Sequence, residues 1–143
     1  MENLKVVVAG HLDHGKSTLI GRLLYKTGSL PASLLDNARK ANVPGGSDEF
    51  AFVTDQLAEE QAEGITIDTV PIELKTAQRN YTLIDTPGHK EFLKNMLTGA
   101  TNADAAIILI DAAEGLLEQT YLHTFLIAML GIRNIIVIIN IHC

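Results

Sequence analysis

A single cysteine, Cys143, occurs in the 143 residues, which excludes an internal disulfide framework and suits a reducing compartment. Positive charge is also scarce. Eleven Lys and Arg stand against 17 Asp and Glu, a net charge of −6, so no broad basic face and no direct DNA binding are expected. RNA contact is left to parts other than this segment. There is no secretory leader at Met1-Glu2-Asn3-Leu4-Lys5, where a basic region would have to run into a long apolar one. Long hydrophobic runs are missing too. The greasiest stretch, Phe125 to Ile141, is broken by Gly131, Arg133 and Asn134, short of the roughly 20 apolar residues that a membrane span takes. A cytoplasmic chain without membrane contact is expected. The remainder is ordinary for a globular domain, with 47% hydrophobic and 20% charged residues in one domain's length.

The order of patterns is strand, helix, loop, two strands, helix, strand, helix, strand. Leu4–Ala9 is a short β-branched run ending at Gly10, and Lys16–Thr27 carries Leu19, Ile20, Leu23 and Leu24 at helical spacing, with Gly28 placed to stop it. Pro31 and Pro44-Gly45-Gly46 interrupt the next stretch, which predicts short helices around Ser33–Ala41 and Asp55–Ala62. Ile65–Leu74 and Asn80–Asp85 read as strands joined by a turn at Thr76–Arg79, and Lys90–Thr98 as a helix. Ala103–Asp111 and Asn134–Asn140 are apolar throughout with polar ends, as suits parallel strands covered on both faces. Glu118–Leu130 between them is a helix closed by Gly131. Alternating strands and helices predict an α/β fold, a mostly parallel sheet with helices on both faces.

Gly10-His11-Leu12-Asp13-His14-Gly15-Lys16-Ser17 fits G-x-x-x-x-G-K-[ST] after a strand and before a helix. Glycines let the backbone turn so that successive N–H groups face phosphate oxygens. The following helix adds the positive end of its dipole. Lys16 supplies a mobile charge for the terminal phosphates, and the Ser17 hydroxyl a Mg²⁺ ligand. A Gly-rich turn with an incidental Lys-Ser arises by chance in a chain this long on the order of once in two hundred.

A nucleotide hydrolase also needs groups that sense the last phosphate and the metal. Asp85-Thr86-Pro87-Gly88-His89 sits at a strand end, where a parallel sheet presents its ligands. Asp85 can hold a metal-bound water, Gly88 offers an unobstructed N–H, and His89 can reach an attacking water. Thr66, within Gly64-Ile65-Thr66-Ile67-Asp68, is the candidate to close over Mg²⁺. The five histidines, His11, His14, His89, His123 and His142, lack zinc spacing and a Cys pair. His123, mid-helix among apolar neighbours, reads as a partly buried structural residue.

GHLDHGKST, GITID, IDTPGH and KNMLTGATNADAAIILIDAAEG followed by QT together resemble the G domain of the translation-factor GTPases over nearly the whole chain. The resemblance implies a P-loop G domain binding GTP or GDP with Mg²⁺. Its nucleotide contacts fall on Gly10, His11, Asp13, His14, Gly15, Lys16, Ser17, Thr18, Gly88 and Asn140, its metal contacts on Ser17, Thr66 and Asp85. Catalysis falls to Lys16 and to His89, which positions the hydrolytic water, with Leu12 and Ile65 as an apolar gate. Asp68 is similar to elongation factor 1-alpha and to the GTPase subunit of sulfate adenylyltransferase. STLIGRLLYKTGSLP and DEFAFVTDQL lean toward the latter, which implies a sulfate adenylyltransferase catalytic subunit as partner. The elongation-factor alternative implies the ribosome or RNA instead.

Three departures stand out. Arginines usual before GITI are replaced by Glu63 and Gln61, and Tyr121 and Leu122 stand where charged residues are usual. The guanine-reading N-K-x-D is here Asn140-Ile141-His142-Cys143, without the lysine and without the carboxylate that pairs guanine's N–H groups. Residues 1–143 therefore read as a partial G domain, lacking the last strand and helices and the family's β-barrel domains. A degenerate G domain that only binds, or a P-loop ATPase or kinase, are the competing classes. The last of these has no need of GITID or DTPGH.

Overall fold

The computed structural model describes residues 2–11, 15–30, 32–40, 50–54, 71–85 and 102–141. Five strands form one sheet: β1 (Asn3–Gly10), β2 (Pro71–Lys75), β3 (Asn80–Asp85), β4 (Ala105–Asp111) and β5 (Asn134–Asn140). Their order is β2-β3-β1-β4-β5. β1 runs parallel to β3 and β4, and β4 parallel to β5, while β2 pairs antiparallel with β3. The antiparallel pair follows from its short link, in which the Thr76 N–H and hydroxyl both donate to the Arg79 carbonyl, at 3.0 and 2.8 Å. Parallel neighbours need a crossover; a four-residue turn permits only a hairpin.

The alternation of side chains along β1 divides the core in two. Val7 and Ala9 face one side with Ile84, Ala106 and Ile108, packed beneath Ile127 of α3 (Glu118–Met129). Val6 and Val8 face the other side with Leu83, Ile72 and Ile107, packed beneath Ile20 and Leu24 of α1 (Lys16–Lys26). The helix after β1 and the helix after β4 thus leave on opposite faces. That divergence opens a crevice beyond the carboxyl ends of β1 and β4, where ligands of such sheets bind. α2 (Ala32–Lys40) and the helical residues 50–54 make a small satellite core through Leu34 and Val53.

Element boundaries follow local chemistry. α1 ends where Gly28 takes φ 68°, with the Ser29 N–H returning to the Leu24 carbonyl at 2.9 Å, and α3 gives way at Gly131, φ 75°. These are left-handed turns that favour glycine. The predicted strand over Ile65–Leu74 appears as β2 at Pro71–Lys75, with residues 65–70 outside the described residues. The predicted helices Asp55–Ala62 and Lys90–Thr98 also lie outside them. Helix is present at 50–54, just ahead of the first of these.

β4 meets the expectation of a strand covered on both faces, with Ile107, Ile108 and Leu109 buried. β5 does not. Ile135, Ile136, Val137 and Ile139 are 42% to 62% exposed, because β5 forms an edge and α3 sits over β1 and β4 rather than over it. No helix among the described residues is long and apolar enough to cross a membrane. Ile127→Ala should cost about 2–5 kcal/mol of stability through the cavity it leaves. Ile139→Lys, at an exposed edge, should cost less than about 1 kcal/mol and raise solubility. Urea melts of the two variants check the contrast, and equal losses would refute the assignment of β5 to an uncovered edge.

Candidate functional site

Register brings the polar ends of four strands to one edge of the sheet. Val8 of β1 lies beside Asp85 of β3, Gly10 beside Leu109 of β4, and Asp111 of β4 beside Asn140 of β5. Apolar residues stop there because the strands leave the two-sided core there. Gly10, Asp85, Asp111 and Asn140 therefore share the crevice rim with the start of α1.

Gly15 enters α1 with φ 85°, a left-handed conformation that strains any side chain. Space forbids one as well: a Cβ on Gly15 would lie 2.6 Å from Asn140 Nδ2. The amide of the last strand is thus packed against the phosphate-loop backbone. Asn140 is held there by its own main chain, whose carbonyl accepts the Ala112 N–H at 2.9 Å. α1 begins at Lys16 with no side-chain cap and no acidic residue in its first turn. Its first N–H groups and its dipole are turned toward the crevice, which suits an anion.

Lys16 Nζ lies 2.9 Å from Asp85 Oδ1, with the two side chains 12% and 29% exposed. The oxygen is shut off from solvent and off hydrogen-bond geometry, so the ammonium charge is what compensates it. The pair joins two residues 69 positions apart in the chain, which sequence motifs had assigned separately to phosphate and metal. Ser17, the second residue of α1, gives with Asp85 the hard oxygen donors that Mg²⁺ prefers. The described part of the site therefore fits Mg²⁺ and phosphate. Thr18 is in the same helical turn, and His11 lies just past the end of β1. Leu12, Asp13, His14, Ile65, Thr66, Gly88 and His89 lie outside the described residues, as do His142 and Cys143.

Two residues at this rim were not singled out for the site by motif. Asp111 is buried, and its carboxylate accepts the Ala113 N–H at 2.7 Å and the Glu114 N–H at 3.4 Å, shaping the turn after β4. An aspartate closing an apolar strand was the available signal. The second is His123, which is 2% exposed rather than partly buried. It shares the inner face of α3 with Thr120 and Ile127, and that i, i+3, i+7 spacing was its signal. Burial, with the nearby Lys16 charge and then His11, lowers its pKa from 6.5 to about 4. The ring is neutral at pH 7, and its Nδ1 has no hydrogen-bond partner. An apolar helix face thus carries a neutral imidazole to the neighbourhood of Lys16 and His11.

Comparison with known proteins bears on the family and the fold. The profile of the Elongation factor Tu GTP binding domain family matches residues 1–141. The chain is 48% identical over 138 residues to an elongation factor 1-alpha of Pyrococcus horikoshii, covering 96% of this chain and 32% of that protein. It is 49% identical over 140 residues to that of Methanosphaerula palustris, covering 96% and 33%. The chain thus spans about a third of the length of these relatives. The crystal structure of a bacterial selenocysteine-specific elongation factor superposes with a TM-score of 0.64 at 29% identity, over 96% of this chain and 19% of that one.

His123 makes stability depend on pH. Its folded pKa lies below its unfolded value, so the unfolded chain takes up the proton first as pH falls. The contribution is complete above pH 6.5 and is lost as pH falls toward 4, amounting to at most about 3 kcal/mol. Urea unfolding between pH 7.5 and 4.5 should show this slope in the wild type and a flatter one in His123→Leu. An unchanged slope in the variant would rule out His123 as the source.

Proposed function

Because the chain belongs to the Elongation factor Tu GTP binding domain family, we propose that it is the nucleotide-binding part of a Mg²⁺-dependent translational GTPase of the elongation factor 1-alpha kind. The observation that carries this is the meeting of Lys16, Asp85 and the Gly15–Asn140 contact at one end of the sheet. The named relatives support the translational reading. They lend none to the sulfate adenylyltransferase subunit toward which STLIGRLLYKTGSLP and DEFAFVTDQL lean, nor to its catalytic subunit as partner. Ribosome or RNA contact takes that place. With a net charge of −6, residues 1–143 are not the main source of such contact, and they span about a third of the length of these relatives.

The residues divide the work as follows. The backbone N–H groups from Gly10 to Thr18 and the α1 dipole bind and orient the phosphates. Lys16 leaves Asp85 for the terminal phosphates when nucleotide enters, exchanging one anionic partner for another. Asp85, freed, would accept hydrogen bonds from water at the metal site. Ser17 and Thr66 would hold Mg²⁺, which would supply charge neutralisation for the phosphates. Gly88 donates its N–H to the last phosphate, and His89 orients the attacking water, with Leu12 and Ile65 excluding bulk solvent. Asp13 and His14 complete the phosphate loop. Asn140 braces Gly15 against the nucleotide's far end, but Ile141 and Cys143 replace the two groups of N-K-x-D that read guanine.

Titration with a fluorescent GDP analogue should show Mg²⁺-sensitive binding, and its absence at high protein concentration would sink this reading. Lys16→Ala should weaken that binding roughly ten- to a hundredfold, the loss of a charge-assisted contact. Restoring the carboxylate with Cys143→Asp should raise the preference for GDP over ADP by at least about tenfold, as a buried paired acceptor does. Competition by unlabelled ADP measures it.

A further inference from the structure

The residues 50–54 lie against α1 more closely than side-chain packing would allow. A Cβ on Gly21 would strike the Phe50 carbonyl oxygen, and would sit 2.8 Å from the Thr54 hydroxyl and 2.9 Å from Phe50 Cβ. Gly21 is in the middle of a helix, where glycine is destabilising, and its backbone is not in the left-handed region. The glycine is there for the approach of another backbone. Three further contacts hold the segment in place. The Phe50 ring lies 5.5 Å from that of Tyr25, the Arg22 guanidinium sits 5.9 Å from its centroid, and Val53 is fully buried in the cluster with Leu34.

Thr54 ends this segment at 2% exposure. Its hydroxyl lies 2.9 Å from the Phe50 carbonyl, the ordinary bond of a threonine to its own helix, and also 2.9 Å from the carbonyl of Ser17. A hydroxyl has one proton, so the two acceptors share it. The second acceptor belongs to the residue whose side chain is the candidate Mg²⁺ ligand. It is one turn of helix from Gly21, so close approach and hydrogen bond work as one clasp.

We propose that Thr54, brought onto α1 through the gap at Gly21, is a positioning residue for Ser17, setting the first turn of α1 so that the serine hydroxyl is aimed at Mg²⁺. This rests on the reading of Ser17 as a metal ligand and adds to it a mechanical link. The segment that holds Thr54 leads, twelve residues on, to Thr66, the other candidate ligand.

Release of a fluorescent GDP analogue, followed across a Mg²⁺ titration, tests the link. Thr54→Val keeps the shape and removes the hydroxyl. It should raise the Mg²⁺ concentration for half-maximal retention roughly three- to tenfold, the effect of one lost hydrogen bond. Release in excess chelator should stay within about twofold of wild type, since phosphate binding itself is untouched. Thr54→Ser should restore the wild-type midpoint, and Gly21→Ala should reproduce the Thr54→Val shift. An unchanged midpoint in Thr54→Val overturns the proposal. So does release accelerated equally with and without Mg²⁺, or a Thr54→Ser protein as impaired as Thr54→Val. If the wild-type chain binds no nucleotide, the functional reading fails separately, and amide exchange of the nucleotide-free protein decides. Faster exchange over residues 17–24 in Thr54→Val, reversed in Thr54→Ser, supports the clasp, and no change refutes it.

Discussion

The left-handed turn at Gly15 is the constraint on which the remaining geometry hangs. With φ at 85° and Asn140 Nδ2 packed where a side chain would be, the start of α1 is pressed against the end of the edge strand. β1 and β5 are not neighbours, since β4 lies between them. The contact therefore closes the top of the sheet across two strand spacings. It also sets the direction in which α1 departs, and so where its N–H groups, Lys16 and Ser17 are aimed. Any side chain at position 15 would meet both a steric and a conformational penalty.

Charge is arranged around that turn with the same economy. Lys16 finds Asp85 on the neighbouring strand, which compensates a carboxylate oxygen that solvent does not reach. His123 is kept neutral by burial first, and then by the nearby Lys16 charge. A charged imidazole there would add repulsion against Lys16. Among the described residues, the Lys16 ammonium is thus held on the Asp85 carboxylate at the rim where phosphate is proposed to bind.

Much of this was legible in the linear chain. The β-branched run into Gly10, the Gly-x-x-x-x-Gly-Lys-Ser spacing and the glycine stops at Gly28 and Gly131 predicted β1, α1, α3 and their ends to within a residue or two. Asn80–Asp85 and Asn134–Asn140 are strands with the predicted bounds. These features depend on local periodicity and backbone freedom, which sequence carries directly. The helix at 50–54 was not legible, because its stability comes from Gly21 and the Leu34 cluster rather than from its own pattern. The depth of His123 was not legible either: a histidine among apolar residues is compatible with a rim or a core, and only the packing of α3 chooses.

By itself the sequence determined the class of fold, the strand and helix on either side of the phosphate motif and the candidates for phosphate and metal, because each is a matter of residue type at short spacing. The tertiary structure decided what those groups meet. That Lys16 faces Asp85, that Asn140 crowds Gly15, that Thr54 reaches the carbonyl of Ser17 and that β5 is left as an exposed edge all depend on strand order and register. Such contacts join residues far apart in the chain, and no periodicity in a single sequence encodes which distant strand comes to lie beside which.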